Sequence, residues 1–142
     1  MSMTIHVEVV SAEAKIYSGI AELIVIPALL GEMGIAPRHA PLLTQLKPGS
    51  VRVIHASDQE EIFYVNGGLA EVQPHVVTIL ADTAVRASDL DEAAAQAVKI
   101  QAEKSLSKPA ADFNYSKAMG ELAEALAQLR TIEQLRKKYK VK

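Results

Sequence analysis

The chain has 142 residues, of which 49% are hydrophobic and 23% are charged, and its formal net charge is −2. This composition is typical of one globular domain, or of a small domain with an appendage, and it argues against a disordered chain. The absence of cysteine excludes disulfides, a thiolate nucleophile and a cysteine zinc site, and the 4% of aromatic residues is sparse for a surface that stacks on nucleic-acid bases.

The amino-terminal sequence MSMTIHVEVV has neither the basic region nor the long apolar region of a signal peptide. The most apolar run, residues 20–30, is interrupted by Glu22 and Pro27 and is too short to span a bilayer. We therefore expect any membrane association to be indirect, through a partner.

Residues 1–86 form the first of two predicted domains and show the pattern of short β-strands. Residues 3–9 alternate apolar and polar side chains, which is typical of a strand with one buried face. Further strands are predicted where β-branched residues recur between turn residues, at 22–26, 50–56, 60–66, 69–73 and 76–82. The pair Gly67-Gly68 predicts a bulge or tight bend, and Pro74-His75 predicts a turn. Many short strands at this spacing indicate a β-sandwich or barrel.

Residues 87–142 form the second predicted domain and follow a helical period. Ser88 is predicted to be the N-cap of a first helix, because acidic residues follow it and suit the helix dipole. This helix breaks at Ser107-Lys108-Pro109, and a second helix starts after Asp112 or Asn114. The first helix is rich in alanine and the second carries a leucine stripe, so an antiparallel hairpin is predicted.

No set of residues in the sequence suggests catalysis or metal binding. The four histidines have no paired ligand spacing, and neither an HExxH motif nor a phosphate-binding glycine loop is present. We therefore predict no catalytic residue, no metal and no cofactor. The basic end RKKYKVK has two interpretations: it favours the helix dipole and solubility, or it docks on an acidic protein or on nucleic acid. Nucleic acid ranks last, because the rest of the chain is acidic.

Four segments in a fixed order resemble those of one family. They are VVSAEAKIYSG (9–19), GEMGIAPRHAPLLTQLKPG (31–49), NGGLAEVQPHVVTILADTA (66–84) and a helical segment that begins DLDEA. Together they closely resemble the epsilon subunits of bacterial F-type rotary ATP synthases, over essentially the whole chain. The resemblance implies an α+β fold, with a flattened ten-stranded β-sandwich followed by an antiparallel two-helix hairpin.

The resemblance also implies a function. Epsilon subunits are non-catalytic rotor subunits that bind the gamma subunit, touch the c-ring, and modulate ATP hydrolysis when the hairpin extends toward the catalytic alpha/beta hexamer. The expected location is the cytoplasmic face of the bacterial inner membrane, as a peripheral part of the complex. Two alternatives stay open at this stage: a free-standing nucleotide-sensing or adaptor module, and a small hydrolase with an unrecognised site.

Several residues match family positions with a known role. Glu32 matches the acidic position that faces the c-ring, although an ordinary loop carboxylate is the alternative. The positions that match the gamma-facing surface are Ser11, His39 and Thr44. The basic residues that match those contacting acidic segments of the catalytic beta subunits are Arg130, Arg136, Lys137 and Lys138.

Three departures from the family pattern are informative. Some members bind ATP through a motif [I/L]-D-x-x-R-A, and here Leu90 and Asp91 match but Ala94 stands where the motif has arginine. The loss of a guanidinium that would pair with phosphate predicts weak or no ATP binding. Residues 28–30 are unusually apolar, and Arg38 replaces a common glycine. Both mark either a partner-specific contact or a simple local substitution.

Overall fold

The computed structural model describes residues 3–106 and 115–140, which form eight β-strands, two short 3-10 helices and two α-helices. The strands are β1 (Ile5–Ser11), β2 (Lys15–Ala21), β3 (Leu23–Ala28), β4 (Gly31–Ile35), β5 (Leu42–Ile54), β6 (Glu60–Val72), β7 (Val76–Ala81) and β8 (Ala84–Arg86). The 3-10 helices are Ala56–Asp58 and Ala87–Asp89, and the α-helices are α1 (Glu92–Leu106) and α2 (Tyr115–Lys140).

The strands pair in the order β2-β1-β7-β6-β5-β3-β4, and β8 pairs with β6. All pairs are antiparallel except β1 and β7, which run parallel. The predicted turn at Pro74-His75 is confirmed and joins β6 to β7, and the 3-10 helix at Ala56–Asp58 joins β5 to β6. The turn at Pro74-His75 is closed by a hydrogen bond from the Gln73 N–H to the Val76 carbonyl, 2.8 Å long.

Two long strands, β5 and β6, connect the two layers of the fold. Each has 13 residues, and they pair with each other along almost their whole length. β6 pairs with β8 over residues 63–65 and with β7 over residues 68–72. The buried side chains of both layers form one apolar cluster, which includes Val9, Ile26, Val51, Phe63 and Ile79. The predicted β-sandwich is therefore confirmed.

The described residues form eight strands, where the resemblance implied ten. The physical reason is that β5 and β6 each continue through the bend from one layer into the other. If strands are counted in each layer separately, β5 and β6 each count twice, which gives ten. The bend in β6 lies at Gly67 and Gly68, where φ is +81° and +130°. Such values are rare for residues with a Cβ, which confirms the predicted bend.

The first α-helix begins later than predicted. The N-cap is Asp91 and not Ser88: the Asp91 carboxylate accepts a hydrogen bond from the Ala94 N–H at 3.1 Å, and its carbonyl accepts one from the Ala95 N–H at 3.1 Å. Ser88 lies in the second 3-10 helix, and extended backbone at Leu90 separates that helix from α1. The predicted break at 107–109 and the candidate N-caps Asp112 and Asn114 lie outside the described residues.

The two α-helices form the predicted antiparallel hairpin. Glu92, in the first turn of α1, forms an ion pair with Arg136 near the end of α2, so the helices run in opposite directions. Alanines rather than leucines are the fully buried residues of the two helices up to residue 130; they are Ala95, Ala102, Ala118, Ala125 and Ala127. Small side chains on both helices let the backbones approach closely.

Candidate partner-binding surfaces

The two outer faces of the sandwich differ in how they are covered. On one layer, the outward side chains of β5, β6 and β7 include Leu43, Leu69 and Leu80, which are 64%, 39% and 45% exposed. Leu69 and Leu80 are direct cross-strand partners, and Leu43 lies on the next strand, so we call these three residues the leucine face. Exposed apolar side chains grouped on one sheet face are typical of a protein-binding surface.

The outer face of the other layer is covered by α2. Ile62 and Tyr64 are buried there, outside the apolar cluster of the sandwich, and Tyr64 is only 2% exposed. Its phenol lies near Glu124 and Gln128 of α2. The Ser50 hydroxyl donates a hydrogen bond to the Gln134 side-chain carbonyl at 2.7 Å. The hairpin is therefore docked on the sandwich through one large aromatic side chain and at least one polar contact.

The residues predicted to face gamma lie on the layer that carries the leucine face, but they do not form one cluster. Ser11 ends β1, and its hydroxyl accepts hydrogen bonds from the N–H groups of Glu13 and Ala14, which shapes the β1–β2 turn. Thr44 lies in β5 between Leu42 and Leu46, on the side that turns toward the core, and it is half-buried.

His39 lies at the opposite end of this layer from Ser11, just before β5. Its ring Nδ1 lies 2.8 Å from the Ala40 carbonyl oxygen. The backbone N–H of His39 donates a hydrogen bond to the Ala36 carbonyl at 3.2 Å. The preceding Arg38 has a φ of 66°, and its N–H donates to the Pro74 carbonyl at 2.8 Å. The loop before β5 is thereby fixed against the β6–β7 turn.

Glu32 lies beside the turn that joins β3 to β4. At the tip of this turn Leu30 is fully exposed and Leu29 is half-exposed, so two apolar side chains project into solvent. Glu32 is exposed and lines a groove of about 110 Å³ between this turn and α2, together with Lys47 and Arg130. Glu32 therefore shares this groove with one cationic side chain of β5 and one of α2.

The basic residues of α2 have different environments. Arg136 forms the ion pair with Glu92 that joins the two helices, and Lys137 is exposed. Arg130 is exposed, and its Nε–H lies 3.4 Å from the Leu126 carbonyl of its own helix. The side chain of Lys138 lies outside the described residues. The ion pair is more than one-third exposed at each partner, so its contribution to stability is about 0–1 kcal/mol.

The residues of the partial nucleotide motif form a helix cap. Asp91 is occupied by its bond to the Ala94 N–H, Leu90 is half-buried, and the Ala94 side chain is exposed. The open groove between the helices is about 590 Å³ and carries charges of both signs, from Glu92, Lys99, Glu133, Arg136 and Lys137.

A charged network that the sequence did not predict lies within the sandwich and joins the β5–β6 turn region to β8. The Glu61 carboxylate accepts hydrogen bonds from the His55 ring at 2.8 Å and from Arg86 at 3.0 Å. Arg86 also lies over the Phe63 ring, 5.1 Å from its centroid. Burial raises the pKa of Glu61, but the hydrogen bonds from His55, Arg86 and Tyr17 outweigh burial and lower it. No motif indicates this network, because its members are distant in sequence.

The raised pKa values of two tyrosines predict how the free energy of unfolding changes at alkaline pH. Burial, then the Glu61 carboxylate, raises the pKa of Tyr17 to about 12, and burial, then Glu124, raises the pKa of Tyr64 to about 12. In the unfolded chain both phenols ionise near pH 10, so the unfolded state loses protons first. The free energy of unfolding should therefore fall as the pH rises from about 10 to about 12. Urea unfolding at pH 9 and pH 11 measures this fall, and Tyr64→Phe should reduce it by about 1 kcal/mol at pH 11. An equal fall in wild type and Tyr64→Phe would contradict the prediction.

The described residues contain neither a metal site nor a membrane-spanning helix. Within residues 3–106 and 115–140, no group of three histidine, aspartate or glutamate side chains is arranged to hold a metal ion. In the same part of the chain, no helix has the length and apolar character needed to cross a membrane.

Comparisons with known families and proteins agree along the whole chain. The family model "ATP synthase, Delta/Epsilon chain, beta-sandwich domain" matches residues 4–87, and the model "ATP synthase, Delta/Epsilon chain, long alpha-helix domain" matches residues 88–133. The ATP synthase epsilon chain of Nitrosococcus oceani is 56% identical over 138 residues, which cover 97% of this chain and 99% of that one. The ATP synthase epsilon chain of Alkalilimnicola ehrlichii is 58% identical over 137 residues, covering 96% and 98%.

Two solved structures show the same fold at low sequence identity. One chain comes from the Euglena gracilis mitochondrial ATP synthase, OSCP/F1/c-ring assembly; it is 23% identical with a TM-score of 0.76, over 93% of this chain and 81% of that one. The other comes from the central stalk/c-ring of the Tetrahymena thermophila mitochondrial ATP synthase; it is 14% identical with a TM-score of 0.59, over 93% and 97%. With two relatives above 55% identity over nearly their full lengths, this chain belongs to the ATP synthase epsilon chain family.

Proposed function

We propose that this non-catalytic ATP synthase subunit works in the rotating central stalk, where it joins the gamma subunit to the c-ring. The observation that carries the proposal is the identity of 56–58% to epsilon chains over nearly the whole sequence, which includes both the sandwich and the hairpin. Coupling through a stalk requires extensive complementary contacts rather than a reactive group, and the absence of a catalytic motif in the sequence agrees with this role.

The leucine face is the surface that we assign to gamma. It presents three exposed leucines beside the polar side chains Gln45 and Glu71 and is uncovered, whereas the outer face of the other layer is occupied by α2. His39 lies at one end of this layer and Ser11 at the other, so a partner that covers the leucine face can reach both. Thr44 turns toward the core, and its proposed effect on binding is to position β5 beneath the partner.

The turn between β3 and β4 is the surface that we assign to the c-ring. Glu32 supplies a carboxylate for a cationic loop of the ring, and the projecting Leu29 and Leu30 supply apolar contacts beside it. A pair between exposed charges is worth about 0–1 kcal/mol, so Glu32 determines orientation more than affinity. With this contact, the proposed location is the cytoplasmic face of the bacterial inner membrane, where the ring would hold the subunit.

The carboxyl-terminal domain, residues 87–142, is proposed to regulate ATP hydrolysis. The hairpin docks on the sandwich through α2, which lies over Ile62 and Tyr64 and accepts the Ser50–Gln134 hydrogen bond, and we propose that this contact is exchanged for another partner. The basic residues of α2 would then meet acidic segments of the catalytic beta subunits. Three of them have described side chains, and those of Arg130 and Lys137 are exposed without an ion pair within the described residues.

Deleting residues 88–142 should separate the two proposed roles. The truncated chain keeps the leucine face and the β3–β4 turn, so it should bind gamma within about twofold of the full chain and support ATP synthesis. ATP hydrolysis by the assembled head should rise, because the hairpin is absent. Gamma binding by calorimetry and ATPase activity of the reconstituted head measure the two effects.

The deletion also exposes Ile62 and Tyr64, and this needs a control. The truncated chain should carry Ile62→Thr and Tyr64→Thr, which suit an exposed strand face and keep the sandwich from aggregating. Loss of gamma binding by a truncated chain that retains its β-sheet circular dichroism would contradict the proposed division of roles. Unchanged hydrolysis would contradict the regulatory role alone.

The purified chain should bind ATP weakly or not at all, in contrast to a nucleotide-sensing module. Ala94 supplies no guanidinium for the phosphates, and the Asp91 carboxylate is occupied at the helix N-terminus. Ala94→Arg is the matched variant: its side chain is exposed, so it should fold normally and bind ATP about tenfold more tightly. Isothermal calorimetry or NMR titration tests this, and a wild-type dissociation constant of about 1 mM or below would show that the prediction is wrong.

A further inference from the structure

The turn at residues 36–39 contains an arginine where the backbone favours glycine. The His39 N–H donates to the Ala36 carbonyl, which closes a four-residue turn with Pro37 second and Arg38 third. Proline at the second position and a positive φ at the third are the features of a type II turn, in which glycine predominates at the third position. Arg38 occupies that position with a φ of 66°. The hydrogen bond from its N–H to the Pro74 carbonyl holds the strained conformation in place.

Within the described part of the chain, no ion pair of the Arg38 side chain offsets this backbone strain. Three other arginines pair with carboxylates: Arg52 with Glu60, Arg86 with Glu61, and Arg136 with Glu92. Arg38 is exposed, and within residues 3–106 and 115–140 its guanidinium has no ion pair. Strained residues persist mainly where a function requires them, so the guanidinium is expected to act outside the chain.

The position of Arg38 indicates where it acts. The turn leads directly into β5, whose exposed Leu43 belongs to the leucine face, and Pro74 follows the end of β6 in the same layer. Arg38 therefore lies at the end of the leucine face, where the rim of an apolar interface would be. Charged groups at the rim of an interface contribute orientation and partner choice.

We propose that Arg38 is a specificity-determining residue of the gamma interface, where its guanidinium pairs with a carboxylate of the gamma subunit. The inference rests on the proposed function, because gamma is taken to be the partner of the leucine face. A guanidinium matches a carboxylate with two parallel hydrogen bonds, and this geometry selects an acidic side chain at one place on the partner. A glycine in the same turn would relieve the strain but could not make this contact.

Gamma binding by four variants tests the proposal. R38Q removes the charge but keeps a side chain in the strained turn, R38K keeps the charge, and R38G removes both charge and strain. S57G is the matched control, because Ser57 is the second described residue other than glycine with a positive φ, at 64°, and it lies in the β5–β6 turn. R38Q and R38G should weaken gamma binding about tenfold, and R38K should have an intermediate effect of about threefold, because lysine keeps the charge but cannot form the two parallel hydrogen bonds. S57G should bind like wild type.

Stability and salt give independent measurements. R38G and S57G should each raise the melting temperature by roughly 1–3 °C, since glycine adopts a positive φ without strain. Wild-type affinity should fall more steeply with salt than that of R38Q. The proposal is overturned if wild type binds gamma and R38Q or R38G binds equally well, a result that leaves the proposed function intact. If wild type does not bind gamma, both are overturned.

Discussion

Replacing Gly68 with alanine should destabilise the chain by about 3 kcal/mol or more, because two separate costs add at this position. With φ at +130°, the backbone has a conformation that residues with a Cβ rarely adopt. The new Cβ would also lie 2.2 Å from the Leu80 carbonyl oxygen and 2.8 Å from the Ala81 Cα. Both are backbone atoms of the paired strand β7, so relief of the clash requires separation of β6 from β7.

Alanine substitutions at two other glycines allow the conformational cost and the steric cost to be measured separately. Gly31 has a φ of +136° but no atom within 4 Å of an added Cβ, so Gly31→Ala should show only the conformational cost, about 1 kcal/mol. Gly34 has neither problem, since its nearest neighbour would be a Leu23 methyl at 3.8 Å, and Gly34→Ala should change stability by less than about 0.5 kcal/mol. Urea unfolding followed by circular dichroism gives the three values. Equal losses for Gly68→Ala and Gly31→Ala would show that the close approach of β7 is unimportant.

Replacing Tyr64 with alanine should undock the hairpin while the sandwich stays folded. Tyr64 is 2% exposed beneath α2 and is not part of the apolar cluster between the layers. Loss of its side chain should therefore weaken the contact between the sandwich and the hairpin. Truncation of a buried aromatic side chain costs about 3–5 kcal/mol. Hydrogen exchange should therefore show loss of protection in α2, with protection retained in β1, β6 and β7.

Two variants serve as controls for Tyr64→Ala. Tyr64→Phe keeps the ring; since the buried hydroxyl has no well-formed hydrogen bond within the described residues, stability should stay within about 1 kcal/mol of wild type. Val51→Ala lies in the central cluster and should lower protection throughout the strands. If Tyr64→Ala lowered protection in the strands as much as in α2, the hairpin and the sandwich would unfold as one unit.

Local patterns predicted most of the fold. Strand patterns predicted β1, β3, β6, β7 and the second half of β5, and Gly67-Gly68 and Pro74-His75 predicted the bend and the turn, because these features depend on residues close in sequence. The strands β2, β4 and β8 and the first half of β5 were not predicted. The first N-cap was predicted wrongly at Ser88. Ser88 and Asp91 are both good caps, and the choice depends on the 3-10 helix at 87–89, whose Ala87 is buried by tertiary contacts. The count of ten strands was also wrong for the described residues, because continuity of β5 and β6 across the bend is a long-range property.

The surfaces were less predictable than the fold. The resemblance supplied the positions Ser11, Glu32, His39 and Thr44, but not that Thr44 turns toward the core or that Glu32 and Arg130 line the same groove. The network around Glu61 combines residues from several strands, so the spacing of these residues in the sequence does not indicate it. The sequence marks Arg38 only as a departure from a common glycine, whereas its positive φ shows why glycine suits that position.

The passage of β5 and β6 through both layers has a mechanical consequence. A sandwich whose layers meet only through side chains can shear, because apolar contacts slide with little resistance. Here two adjacent strands of 13 residues continue from one layer into the other, so a load applied to one layer reaches the other through covalent backbone. For a subunit proposed to transmit torque between gamma and the ring, this makes the sandwich a stiff connecting piece. Elastic compliance should then be concentrated in the surface turns and in the docked hairpin.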